Sequence, residues 1–207
     1  MELFTARTSN GLKARILLEE AGFPYRAHRL DLRKGDQRRE SFLHINPFGK
    51  IPVIVDPEGP GGQPKVVVET LAIAFYLSEK SGLMGPRTAL ESLDFLEWSS
   101  AMASGLAPSL RAHYRFTEVT PTRDEAVLAY HLDEIRRFLD VADQRLRHRD
   151  FLAGDRFTLL DALFFPSLVM AESRLAGGLS GLDRLARYRV AIATRPAVAR
   201  AIEAHEG

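Results

Sequence analysis

The spacing of apolar residues changes character partway along the chain. In the amino-terminal part, strand-like runs and helix-like periods alternate. Residues 2–5 form a short strand candidate. Ala14, Leu17, Leu18 and Ala21 then recur at helical spacing. Asn10 is placed to cap a helix starting at Gly11, and Gly22, with Pro24 just beyond, is placed to end it. Residues 25–30 read as a second strand and residues 37–44 as a short helix. Residues 52–55 and 65–68 are β-branched runs joined by a Pro/Gly-rich stretch, as in an antiparallel hairpin with a long loop. Residues 70–80 read as a helix, so the order is β-α-β-α-β-β-α.

From residue 88 onward the strand signal vanishes. Ser81-Gly82 and Gly85-Pro86 mark a linker. Leu128, Leu132, Ile135, Leu139, Ala142 and Leu146 form one apolar stripe of an amphipathic helix. Residues 158–173 are apolar on every face, the pattern of a central buried helix. Its start carries Thr158 and Asp161, a spacing close to a capping box and structural in purpose. Pro196 suits the first turn of a further helix. An α/β block at 1–81 followed by an all-helical block at 88–207 predicts two separately packed domains.

Composition narrows the function classes. With 45% hydrophobic and 27% charged residues the chain is of ordinary globular type. A formal net charge of +1 gives no electrostatic reason to bind nucleic acid or an anionic membrane. The pairs Arg38-Arg39 and Arg136-Arg137 read as solvated faces. The most apolar run, 162–171, contains Pro166 and Ser167 and falls short of the roughly 18 residues of a membrane span. Glu2 and Arg7 interrupt the amino terminus before any apolar stretch, so no secretory leader is expected and a cytoplasmic location is. The chain has no cysteine, which rules out disulfides, cysteine metal sites and a protein thiol in any mechanism. Its six histidines lack metal-ligand spacing, and no metal is expected.

Three segments together carry a family resemblance. Ile45-Asn46-Pro47-Phe48-Gly49-Lys50-Ile51-Pro52-Val53 resembles the strand-entry motif of the glutathione transferase superfamily. Glu69-Thr70-Leu71-Ala72-Ile73-Ala74-Phe75-Tyr76-Leu77 is similar to its second glutathione motif. Phe151-Leu152-Ala153-Gly154-Asp155, with Thr158 and Asp161, resembles the segment at the central helix of its second domain. Their order and distances cover nearly the whole chain. Thr8-Ser9-Asn10-Gly11, Lys34-Gly35-Asp36-Gln37 and the long hairpin are most similar to the bacterial Nu class and its fungal prion-related relatives. That class usually has proline where Ser9 stands, and often a basic residue where Tyr130 stands.

The resemblance implies a thioredoxin-like glutathione-binding domain, then an all-helical domain, assembled as a two-fold homodimer. It implies an enzyme that activates the glutathione thiol against a small electrophile, or uses it to reduce a disulfide or peroxide. A non-catalytic relative serving as a regulatory or protein-interaction module is the rival reading.

Each part of glutathione calls for a complementary group. The resemblance implies that Glu69 accepts from the γ-glutamyl ammonium. Thr70 opens a helix whose free N–H groups and dipole suit the neighbouring carboxylate, a role compatible with simple capping. The resemblance implies a cis Ile51-Pro52 bond, with the Ile51 backbone pairing to the cysteinyl backbone like an added strand. Lys50 can supply charge to the glycyl carboxylate, though it reads equally as a surface lysine, and the resemblance implies Gln37 as an amide donor to the same group. A free thiol with a pKa of about 8.5 is only slightly ionised at neutral pH, so the protein must stabilise the thiolate. The first tyrosine, Tyr25, lies too far along to serve. Thr8, Ser9 and Asn10 are the available donors: Asn10 and Thr8 in the Nu-like manner, Ser9 as in serine classes. Asn10 as a plain helix cap stays open. His113, Tyr114 and Phe116 are candidates either for the electrophile pocket or for the core.

Overall fold

The computed structural model describes residues 1–120 and 124–206. The chain divides into two compact units, Met1–Gly85 with Arg195–Gly207, and Pro86–Thr194.

The first unit is built on a four-stranded mixed sheet in the order β2-β1-β3-β4. β1 (Glu2–Thr5) runs parallel to β2 (Arg26–Arg29) and antiparallel to β3 (Val53–Asp56), which pairs antiparallel with β4 (Lys65–Val68). Leu3 and Thr5 are buried on alternate positions of β1, while Val53 and Ile54 are both fully buried on the central β3. α1 (Ser9–Ala21) buries Ala14, Ile16, Leu17 and Leu18 and packs against α3 (Thr70–Ser81). The helix expected at 37–44 is broken in two. A 3-10 turn at Asp36–Arg38 and α2 (Glu40–Leu43) are separated by Arg39, whose ψ of 144° is extended.

α1 starts two residues earlier than its sequence suggests. Its cap is Thr8 rather than Asn10: Thr8 is extended, at φ −142° and ψ 161°, and its Oγ1 accepts from the Gly11 amide at 3.1 Å. Asn10 is already inside the helix. Gly11 is required there, because a methyl group at that position would come within 2.1 Å of the Ala6 carbonyl oxygen.

The helix announced by Pro196 is α9 (Pro196–Glu206), which groups by its contacts with the first unit. It packs on α1 and buries Val198 and Ala201. Arg195 pairs with both carboxylate oxygens of Glu20, at 2.7 and 2.9 Å, and Arg200 with Glu19 at 2.9 Å.

The second unit is helical. α4 (Ala89–Ala101) and α5 (Ala107–Tyr114) are joined by a π-helical segment, Met102–Leu106, and a second such segment, Arg115–Val119, follows α5. Pro108, which has no N–H to donate, sits in the first turn after the first widened segment. α6 (Glu125–Arg145) carries the expected stripe, with Leu128, Ile135, Leu139 and Ala142 buried. α7 (Leu159–Glu172) is buried continuously from Leu159 to Leu168, as its all-apolar pattern predicts. α8 (Asp183–Ala193) completes the set.

Two carboxylates organise this unit. Asp161 is fully buried and closes the predicted capping box with Thr158. It also accepts from the Leu152 amide at 3.0 Å and the Tyr188 hydroxyl at 2.9 Å. Burial pushes its carboxyl up, against the pull of these donors. Asp143 reaches from α6 to the start of α8, whose own Leu182 offers no side-chain cap. It accepts from the Arg184 and Leu185 amides, both at 2.9 Å, and from the Arg184 guanidinium at 2.7 Å. Asp143 thus caps a helix other than its own.

Candidate active site

Strand register brings three of the predicted site segments to one end of the sheet. Phe4 pairs with Val53, and Val53 with Val68. The chain leaving β1, the chain entering β3 and the chain leaving β4 therefore emerge side by side. These are the stretches holding Thr8, Ser9 and Asn10, then Ile51 and Pro52, then Glu69 and Thr70.

Glu69 turns the chain from β4 into α3 within one residue, at φ 68° and ψ 127°. A side chain in that region costs of order 1–3 kcal/mol, and such strain tends to persist where function needs it. Glu69 is exposed, makes no side-chain cap bond to α3, and its carbonyl accepts from Ile73 at 2.9 Å. The amides of Thr70 and the residues after it open the helix without an intrahelical partner. Such a helix start suits an anion, and the Glu69 carboxylate beside it can accept from a cation.

The Ile51-Pro52 bond is cis. Ile51 precedes the β3 ladder, so its backbone N–H and C=O take no part in the sheet pairing. The loop before it is held by Asn46, a fully buried residue to which the motif alone gave no role. Its amide donates to the Lys50 carbonyl at 2.7 Å and its oxygen accepts from the Phe48 amide at 3.1 Å. Lys50 is exposed at the edge of this loop. Gln37 lies next to it, since its carbonyl would sit 3.0 Å from a Cβ at Gly49. The Gln37 amide nitrogen donates to the Leu32 carbonyl at 3.3 Å, leaving its buried side-chain oxygen without a partner. One of its two amide hydrogens is thereby engaged in its own loop.

At the loop between β1 and α1, the Thr8 cap uses a lone pair and leaves the hydroxyl hydrogen to donate. Ser9 is half-buried and Asn10 exposed. Asn10 Oδ1 accepts from Lys13 Nζ at 3.0 Å. Lys13, absent from the sequence-derived site, is only 8% exposed, and burial pushes its pKa down to about 8.

Tyr130 is exposed on α6, His113 is buried on α5, and Tyr114 is exposed with the Arg174 guanidinium 5.6 Å from its ring centre. Among the described residues no cluster of His, Cys, Asp or Glu suits a metal ion, and no helix is long and apolar enough to cross a membrane.

Comparison with known proteins agrees along the whole chain. Residues 1–79 match the family model of the glutathione S-transferase N-terminal domain, and residues 98–196 that of the C-terminal domain. The disulfide-bond oxidoreductase YfcG of Escherichia coli strain K12 is 33% identical over 98% of this chain and 94% of its own length. A glutathione transferase family member from Pseudomonas fluorescens, solved with two glutathione bound, has a TM-score of 0.90 at 34% identity, covering 98% of this chain and 92% of that one. A glutathione transferase from Pseudomonas putida, solved with one glutathione disulfide bound per subunit, has a TM-score of 0.90 at 30% identity, covering 97% and 89%. With both domain models matched in order on a thioredoxin-like sheet and a helical unit, this chain belongs to the glutathione S-transferase family.

Proposed function

We propose that the protein binds glutathione at the end of its sheet, stabilises the thiolate, and directs it at a small electrophile or a disulfide. The observation supporting this reading is the register that brings the chain leaving β1, the chain entering β3 and the chain leaving β4 to one sheet end. Glu69 and the start of α3 take the γ-glutamyl ammonium and carboxylate. The free Ile51 backbone pairs with the cysteinyl backbone, and Lys50, assisted by Gln37, takes the glycyl carboxylate. That leaves the thiol facing Thr8, Ser9 and Asn10. The Asn10 amide and the Thr8 hydroxyl donate to the sulfur and favour the anion.

The relative named a disulfide-bond oxidoreductase and the neighbour holding glutathione disulfide support the reductase arm. With no cysteine in the chain, exchange runs between glutathione and substrate alone. The thiolate attacks one sulfur of the disulfide, forms a mixed disulfide and releases the other sulfur as a thiolate. A second glutathione thiolate then attacks the glutathione sulfur of that mixed disulfide, giving glutathione disulfide and the second substrate thiolate. A cytoplasmic location, where thiols are kept reduced, accords with this chemistry.

A homodimer belongs to the same reading. Leu90, Leu93 and Leu96 are exposed along one side of α4, with Leu90 at 73%. Trp98, Leu106, Phe138 and Val141 line an open apolar groove of about 410 Å³. Surfaces of this kind suit a two-fold self-association.

The test is retention on immobilised glutathione, followed by turnover of an aryl halide, an organic peroxide and a model disulfide. Binding with turnover of one of them is expected. Failure to bind glutathione, with no turnover, would leave the non-catalytic module as the reading.

A further inference from the structure

We infer that Lys13 is a positioning residue for the thiol site: its buried ammonium grips the Asn10 amide by the oxygen and turns the amide NH₂ towards the sulfur. The inference rests on Asn10 being the thiolate donor.

The geometry is specific. Lys13 lies one turn into α1, three residues after Asn10, on the same side of the helix. Its Nζ is 3.0 Å from Asn10 Oδ1. An ammonium has three donors and no acceptor, so the amide atom facing it must be the oxygen. The NH₂ group is then the end left to the open side, where Asn10 is exposed. An unsupported asparagine presents its oxygen or its nitrogen to a ligand with little preference. An oxygen turned to the sulfur would repel a thiolate, whereas an amide hydrogen stabilises it. The positive charge behind the amide also polarises its N–H bonds in the helpful direction.

The burial of Lys13 calls for a reason. A lysine in a surface helix ordinarily runs its stem along the surface and keeps its head in water. Here the side chain is 8% exposed, and burial works against the charged form. Packing α1 would be better served by an apolar residue of similar length. A charge retained at such a place has its use in the bond it makes, and that bond goes to Asn10.

The experiment is a double-mutant cycle read by titrating the thiol of bound glutathione through its thiolate absorbance. The proteins are wild type, Asn10→Ala, Lys13→Met and the double variant. Lys13→Met should raise the bound thiol pKa by about 1 and lower turnover at neutral pH by up to about tenfold, with the KM for glutathione little changed. Lys13→Arg should recover part of the loss. The double variant should match Asn10→Ala, because Lys13 acts through that residue. If Lys13→Met does not fold, the shorter, uncharged Lys13→Gln carries the same cycle and should also raise the thiol pKa. A normal thiol titration in Lys13→Met alongside a shifted one in Asn10→Ala would overturn the role of Lys13 and leave Asn10 as donor. Additive effects in the double variant would also overturn it. Normal titrations in both single variants would overturn the inference together with the reading of Asn10.

Discussion

Replacing Lys13 by methionine should stabilise the folded protein at neutral pH, the opposite of what deleting a hydrogen-bonded core residue usually does. The ordinary lysine value of 10.5 falls to about 8 in the folded chain because the side chain is buried. At pH values below both, that difference amounts to about 3 kcal/mol of native-state destabilisation. Against it stands the bond to Asn10, whose exposed oxygen regains water when the ammonium is removed, a loss of about 1 kcal/mol. The net expectation is a gain of about 2 kcal/mol for Lys13→Met, by these general magnitudes. The pH dependence gives a sharper signature. Between the folded and the unfolded value the native lysine is neutral while the unfolded chain still holds its proton. Wild type therefore gains stability as pH rises through that window, and the advantage of the variant shrinks. Urea unfolding followed by circular dichroism, at steps from about pH 7 to about pH 10, measures both effects. A variant less stable than wild type at neutral pH, or an advantage that stays constant up to the alkaline end, would refute the argument.

Glu69→Gly should relieve the positive φ and raise stability by up to about 1 kcal/mol, while weakening glutathione binding by about 1.5–3 kcal/mol; unchanged affinity by calorimetry would remove Glu69 from the site. Asp161→Ala should cost about 3–5 kcal/mol, well beyond a single cap, because it strands the buried Leu152 amide and Tyr188 hydroxyl. Its surviving folded fraction should still bind glutathione, and lost affinity at unchanged stability would make Asp161 a site residue. For Asp143, burial alone would push the carboxyl up, but the Leu185 and Arg184 amides and the Arg184 guanidinium together hold it below its ordinary value. Its contribution is complete above the unfolded carboxylate value of about 3.9 and is lost as pH falls through the lower folded value, so the melting temperature of Asp143→Asn should decline less steeply in acid than that of wild type. Light scattering should give twice the chain mass of 23.1 kDa, and a concentration-independent single-chain mass would exclude the dimer.

Where the determinants of structure are local, the sequence was enough to find them. β4 at Lys65–Val68 and the capping box of Thr158 and Asp161 appear as read, because a β-branched run and a cap motif act within a few residues. The start of α1 is not legible in the sequence because threonine and asparagine are both good caps; the extended backbone of Thr8 decides between them. α4 and α5 escaped because their two π-helical segments shift the helical period, and because Leu90, Leu93 and Leu96 put apolar residues on the open side. Within the site, the family motif pointed to Ile51, Pro52, Glu69 and Thr70. It did not reveal the tie between Gln37 and the Leu32 carbonyl, nor the support of Lys50 by Asn46. Lys13 was invisible for a physical reason. A lysine between apolar helix positions reads as a solvated one, and only the packing around α1 buries it.

The placement of α9 on α1 has a consequence for how the protein is made. The first unit is discontinuous in the chain, its second piece following residues 86–194. At a synthesis rate of about 5–20 residues per second, the cover for α1 emerges from the ribosome roughly 5–20 s after the rest of that unit. Throughout that interval the face that will meet Val198 and Ala201 is open to water and to other nascent chains. The helical unit, encoded without interruption, can finish first, so the order of folding inverts the order of translation. A premature stop within residues 86–194 would then disturb not only the helical unit it interrupts but also the part of the first unit already synthesised.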